Sequence, residues 1–290
     1  MKNQLIQLYL LVCHIYDNRS DQCFQRSSNF KPVFTDQELV TIYLFGHFNG
    51  LFKKKAIYSL IDNYWRTWFP RLPSYQAFVA RLNLLEPSFQ AISGFLLETL
   101  RHKQMPEVDH LIDSFPVVLA HGQFARRARV AREIANTGYC AAKRLHFHEV
   151  RLHCIARRRM GRLPLPHQLW VREGSCHDLT SVREQLIWLP QTTLFGDKAF
   201  CDPKLRQMLA AQETVLYVPK KKPKGGELNL TEKSFNRLIS KVRQPIESFF
   251  KWLNDKTQIQ RASTVRSTDG LMLHCFGKLT FALLLLVFYS

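Results

Sequence analysis

Three acidic residues stand where a carboxylate has chemical work to do. Asp113 lies in the middle of an apolar run, Leu111-Ile112-Asp113-Ser114-Phe115, where a lone charge is costly unless it is paired or holds a metal. Asp197 ends a second short apolar run, Leu194-Phe195-Gly196-Asp197-Lys198, and the glycine before it leaves room for close approach. Glu247 lies in Arg243-Gln244-Pro245-Ile246-Glu247-Ser248-Phe249-Phe250-Lys251-Trp252-Leu253. On a helix, Arg243, Glu247 and Lys251 form one polar stripe, while Ile246, Phe249, Phe250 and Leu253 cover the buried side. Hard divalent cations take oxygen ligands. A pair of them held by two Asp and one Glu stabilises both the attacking and the leaving oxygen of an in-line phosphoryl displacement.

Positioning these acids requires particular elements. From residue 3 to about 103 the apolar spacing is helical. Thr35 and Glu38 form a capping box that opens a helix, and further helices are expected at 53–67, 74–84 and 87–102, punctuated by prolines. After Pro106 the pattern changes to strands at 111–119, interrupted by Pro116, then 145–156 and 167–172. A helix from Asp178 to 189 follows, with Asp178 as its expected N-cap, then a strand at 192–195, a helix at 203–212, a strand at 214–218 and a long helix over 231–261. Three strands, then helix, strand, helix, strand and helix, is the element order of a ribonuclease H-like core, in which the first and fourth strands are neighbours. Asp113 and Asp197 therefore have a reason to converge. The expected fold is mixed α/β: a helical N-terminal region, 1–103, and a ribonuclease H-like catalytic domain, 104–290, closed by a C-terminal helix.

Composition narrows the partner. Of the 290 residues 46% are hydrophobic, too many for a disordered chain. Lys and Arg number 41 against 23 Asp and Glu, a net charge of +18 that calls for a polyanion. Nucleic acid leads that list and an anionic membrane surface follows. The N-terminus does not read as a secretory signal, and the uncharged run after Lys278, residues 279–289, is too short to span a bilayer and reads as a buried closing helix. A cytoplasmic, DNA-associated protein without a membrane role is expected. Seven cysteines with no Cys-x-x-Cys pair argue for reduced thiols rather than a disulfide framework or a standard zinc motif. His146, His148 and Cys154 share a strand face but read as packing.

Basic residues mark the expected contacts with phosphate. Lys53-Lys54-Lys55, Arg66, Arg71 and Arg81 give the helical region a basic surface compatible with helix-turn-helix-like contact to DNA. Arg126, Arg127, Arg129, Arg132, Lys143, Arg144, 157–159 and Arg162 are too dense for ordinary surface decoration, and Lys220, Lys221 and Lys222 form a loop before the Glu247 helix. Arg151 and His153 share a strand face, read evenly as facing nucleic acid or solvent.

Several short motifs, weak singly and specific in their order, span nearly the whole chain: Thr-Asp-x-Glu-Leu-Val-Thr at 35–41, Leu-Pro-Ser-Tyr-x-x-Phe at 72–78, Asp-Ser-Phe-Pro-Val at 113–117, Gly-Asp-Lys-Ala-Phe at 196–200 and Arg-x-x-x-Glu-Ser-Phe-Phe-x-Trp-Leu at 243–253. Together they resemble the DDE insertion-sequence transposases, and within them the insertion sequence 982 family. That resemblance implies Asp113, Asp197 and Glu247 as metal-binding acids, two Mg²⁺ ions with Mn²⁺ as a substitute, cleavage at element ends by water, and attack of the freed 3′-hydroxyl on target DNA. It implies DNA contacts for Arg243, Lys251 and Lys198, a supporting role near the acids for His177 and Asp178, and at least a homodimer on DNA. Related groups carry a Tyr three residues before the Arg and a Lys seven after the Glu. Here those places hold Ser240 and Asn254, and Lys251 or Lys256 is the substitute cation. A nuclease of the same fold that cannot join strands, and a DNA-binding remnant without chemistry, are the competing readings.

Overall fold

The computed structural model describes residues 1–26, 32–102, 109–140, 144–185, 187–223 and 225–289. The boundary residue Lys103, Pro106 and Lys143 of the basic cluster lie outside them. The chain forms two compact units, Met1–Thr99 with Lys256–Ser290, and Leu100–Asp255. The C-terminal segment thus groups with the N-terminal helices, whereas the sequence reading attached it to the catalytic segment 104–290.

The first unit is helical: α1 (Lys2–Asn18), α2 (Asp36–Phe48), α3 (Lys54–Tyr64), α4 (Tyr75–Asn83), most of α5 (Glu86–His102) and the last helix, Thr268–Tyr289. The capping box is present, with Glu38 N–H donating to Thr35 Oγ1 at 3.2 Å and Thr35 N–H to Glu38 Oε2 at 2.6 Å. The last helix is twice as long as the apolar run that announced it. It begins before Lys278, which is buried and donates to the Gln258 carbonyl oxygen at 3.0 Å. By length and composition it could cross a membrane, but 67% of its apolar window is buried inside the protein, where it forms the centre of the helical unit. His47 and His274 are buried in the same unit, and desolvation pushes them down to about 4 and about 3. Both are therefore neutral when folded and take up a proton near pH 6.5 when unfolded. Their contribution, at most about 3 kcal/mol for His47 and about 5 kcal/mol for His274, is present above pH 6.5 and is lost as pH falls toward 4 and 3 respectively. Denaturant unfolding at pH 7.5 and 4.5 is expected to show a smaller loss of stability for His47→Phe than for the wild type; equal losses would contradict this account.

The second unit carries a six-stranded sheet: β1 (Asp109–His121), β2 (Asn136–Cys140), β3 (Leu145–Arg157), β4 (Leu165–Glu173), β5 (Thr193–Phe195) and β6 (Val215–Tyr217). Its order is β2-β3-β1-β5-β6, and β4 also pairs with β3. β1 runs antiparallel to β3 and parallel to β5, which runs parallel to β6. The short helices α6 (Gln123–Arg127), α7 (Asp178–Glu184) and α8 (Pro203–Ala210) and the long α9 (Leu230–Thr257) complete it. This is the mixed α/β architecture of a ribonuclease H-like core. β1 continues through Pro116 because beyond Leu111 it has a strand on one side only, an edge where a missing N–H is tolerated.

Strand alternation sorts the two faces of the sheet. Ile112, Ile155, Trp170, Leu194 and Leu216 pack with Val182 of α7 and Leu205 and Leu209 of α8 in one apolar cluster. Asp113, Phe115, Phe195 and Tyr217 point the opposite way, toward α9: Phe115 stacks on Phe250 at 5.2 Å, and Tyr217 meets Phe235 at 6.4 Å.

Candidate active site

The strand register brings the two aspartates together. Leu111 of β1 is the parallel partner of Phe195 of β5. Asp113 and Asp197 each follow that pair by two residues, just past the end of the β1–β5 pairing, and the charge of Asp197 acts on Asp113. Gly196 makes the approach possible. Its N–H donates to the Tyr217 carbonyl oxygen at 3.0 Å, and a Cβ built on it would lie 2.8 Å from the Phe200 ring and 3.2 Å from Ile112. Gly196→Ala is expected to cost about 1–3 kcal/mol by overpacking and to displace Asp197. Thermal unfolding and a cleavage assay of the same preparation check this, and wild-type values for both would contradict it.

Asp113 is half-buried. Desolvation raises its carboxyl to about 6; Arg243 and the Ser114 N–H oppose the rise, and the like charges of Asp197 and Asp178 add to it. Its Oδ1 accepts from the Ser114 N–H at 2.8 Å and its Oδ2 from Arg243 at 2.9 Å. Asp197 Oδ1 accepts from the Ala199 N–H at 2.7 Å, capping the 3-10 turn Lys198–Phe200. Asp197 is thus the N-cap of that turn, and its second oxygen has no hydrogen-bond partner among the described residues.

Glu247 follows Arg243 by one helical turn and precedes Phe250 by less than one. Since Arg243 touches Asp113 and Phe250 stacks on Phe115, the α9 stripe carrying Glu247 runs along the acidic face of β1. Its side chain is exposed, and it makes no ion pair among the described residues. The alternative expectation, a surface glutamate paired with Arg243 and Lys251, is corrected: Arg243 goes to Asp113. Among the described residues no three His, Cys, Asp or Glu side chains come close enough to ligate one ion, so the two aspartates meet while Glu247 stands on the covering helix.

The other expected residues divide. Lys198, Lys251, Lys220, Lys221, Lys222, Arg126 and Arg127 are exposed. The Lys220 backbone exchanges two hydrogen bonds with Asn236 of α9, tying the base of the lysine loop to the helix that carries Glu247. Arg151 is engaged within the fold, 3.4 Å from Glu149 and 3.6 Å from Asp178, and His153 is fully buried, stacked on Trp170. His153 is therefore closed off from both solvent and nucleic acid, whereas Arg151 remains half-exposed. Asp178 does not cap α7. His177 is the N-cap, without a side-chain bond, and Asp178 turns to Arg151 and lies 3.8 Å from His153. Asp109, the rival of Asp113, pairs with Arg158. Glu149 was missed by the sequence reading: a carboxylate only 4% exposed against Arg151, in a strand whose surroundings become visible only once Gly138 and Gly174 are seen closing over it.

The mixed sheet, with Asp113 on β1, Asp197 just after β5 and a long helix that carries Arg243 and Glu247, has the layout of a ribonuclease H-like core. Residues 106–285 match the Transposase DDE domain family. The chain belongs to that family and is a transposase by kind; the family's enzymes cut DNA with the help of divalent metal ions. No curated protein and no solved structure matches the chain.

Proposed function

We propose that this protein is an insertion-sequence transposase of the insertion sequence 982 type, which cleaves element ends and joins the freed 3′-hydroxyls to target DNA. The observation that supports the reading is Asp113, bonded to Arg243 of α9 and within reach of the charge of Asp197, with Glu247 one turn after Arg243. The donor set suits hard cations: all oxygens, partly desolvated, with an open oxygen on Asp197 and an exposed carboxylate on Glu247. Asp113, Asp197 and Glu247 would hold two Mg²⁺ ions, or Mn²⁺ in their place, which would supply activation of water and charge stabilisation at the attacking and leaving oxygens. The chain's own residues do the rest. Arg243 fixes the Asp113 carboxylate and is shaped to take a phosphate, while Asp178, with His177 before it, adds negative charge near Asp113 from a position set by Arg151.

Lys198, Lys251, Lys220, Lys221, Lys222, Arg126 and Arg127 hold backbone phosphates, giving affinity and position without sequence choice. The helical region 1–103 contributes further DNA contact, and 104–290 carries the chemistry. Two ends must be processed, so at least a homodimer acts on DNA, in the cytoplasm. The experiment supplies pre-cut terminal-repeat DNA bearing a free 3′-hydroxyl, target plasmid and Mg²⁺. Joined products are expected; hydrolysis without joining would assign a nuclease instead.

A further inference from the structure

The helical unit contains a cavity of about 330 Å³ whose lining includes Lys53, Lys54, Lys55, Arg266, Lys278 and His274, and no carboxylate. Of these lysines Lys278 is buried and Lys54 half-buried. Lys278 is 3% exposed, and loss of solvent pushes both Lys54 and Lys278 down to about 8. Their ammonium groups meet neutral acceptors: Lys54 Nζ donates to Asn83 Oδ1, and Lys278 Nζ to the Gln258 carbonyl oxygen at 3.0 Å. Among the described residues none of the five cations forms an ion pair. Both lysines also disfavour protonation of His274, so the groups share one positive field.

Burying a charge without a partner is costly. Two such charges in one cavity make sense when a ligand brings the opposite charge. The N-terminus of the last helix adds to the same field: Ser267 and Gly270 line the cavity, and the Gly270 N–H donates to Ser267 Oγ at 3.1 Å. Phe52 and Tyr75 supply aromatic wall, with Lys278 Nζ 5.9 Å from the Phe52 ring centroid. The volume lies at the lower end of small-ligand pockets, enough for one phosphate with part of its nucleotide and far too small for a duplex.

We propose that this cavity is a phosphate-binding site that takes one backbone or terminal phosphate of a nucleic-acid strand, with Lys54 and Lys278 as its inner cations. The proposal rests on the reading that the protein acts on DNA and locates a contact within the helical unit. The test uses full-length protein carrying Lys54→Met and Lys278→Met. Methionine keeps the side-chain length and removes the cost of burial, so ligand-free thermal stability is expected to be kept or raised.

Binding to duplex DNA of unrelated sequence, followed by fluorescence anisotropy across a salt series, is expected to weaken on the order of tenfold. The slope of log K against log salt is expected to fall by about two. An unchanged slope overturns the proposal. If inorganic phosphate then protects the wild type against heat and not the variant, the cavity serves a free anion instead. Should the double variant fail to fold, Lys54→Met alone carries the test, with a slope change of about one. Absence of Mg²⁺-dependent cleavage by the wild type would sink the transposase reading and leave the salt-slope result standing.

Discussion

Asp113→Asn is expected to reduce Mg²⁺-dependent cleavage of terminal-repeat DNA roughly 10³-fold or more. A cation held beside the scissile phosphate is worth several kcal/mol of transition-state charge stabilisation, and about 4 kcal/mol corresponds to that factor. The expected effect on stability has the other sign. Desolvation raises the Asp113 carboxyl to about 6, so the folded protein bears a cost for the charged form above that pH, and the cost is relieved as pH falls through 6 toward the ordinary carboxylate value. Asparagine keeps one acceptor oxygen, for the Ser114 N–H, gives up the second acceptor toward Arg243, and removes the cost of the desolvated charge. The variant should be at least as stable as the wild type at pH 7.5 and should lose any advantage at pH 4. Wild-type cleavage should decline below about pH 6, because ligation requires the deprotonated carboxylate. An inactive variant that is also less stable at pH 7.5 would point to a structural role for Asp113.

Glu247→Gln is expected to match that loss of activity, roughly 10³-fold, with almost no change in stability. Its side chain is exposed and makes no ion pair among the described residues, and substitutions at such positions usually stay within about 0.5 kcal/mol. The glutamine preserves helix propensity and size, so the variant isolates the charge. Cleavage that survives Glu247→Gln but falls with Asp178→Asn would shift the third acid to Asp178, whose charge already acts on Asp113. Thermal unfolding and cleavage of both variants, measured on the same preparations, decide between the two carboxylates.

Much of this layout was legible in the sequence because local chemistry declared it. The Thr35 and Glu38 box, the prolines between the early helices and the short apolar runs around Asp113 and Asp197 each act over a few residues. What could not be read depends on contacts across the fold. β2 carries Asn-Thr-Gly-Tyr-Cys, with no apolar alternation, and is a strand because β3 offers it a backbone partner. The start of the last helix was hidden by Lys278, a charge that looks like a boundary until a distant carbonyl is found to hold it. Asp178 looked like a cap because an acid at a helix start usually is one; Arg151 draws it away. Arg243 was read as a cation for phosphate, and its contact with Asp113, 130 residues away in the chain, follows from packing α9 on the face of β1 that carries the acid. Asp197 was the most legible of the three acids, since Gly196 and the strand before it already fixed its side of the sheet.

The central claim is that Asp113, Asp197 and Glu247 jointly hold divalent cations. It is tested most directly by anomalous scattering from crystals of the protein soaked in Mn²⁺. The account predicts a peak about 2.0–2.6 Å from carboxylate oxygens of both Asp113 and Asp197, with Glu247 turned toward it and the peak lost in Asp197→Asn. Mn²⁺ bound elsewhere, or no ordered ion at a concentration that supports cleavage, would contradict it.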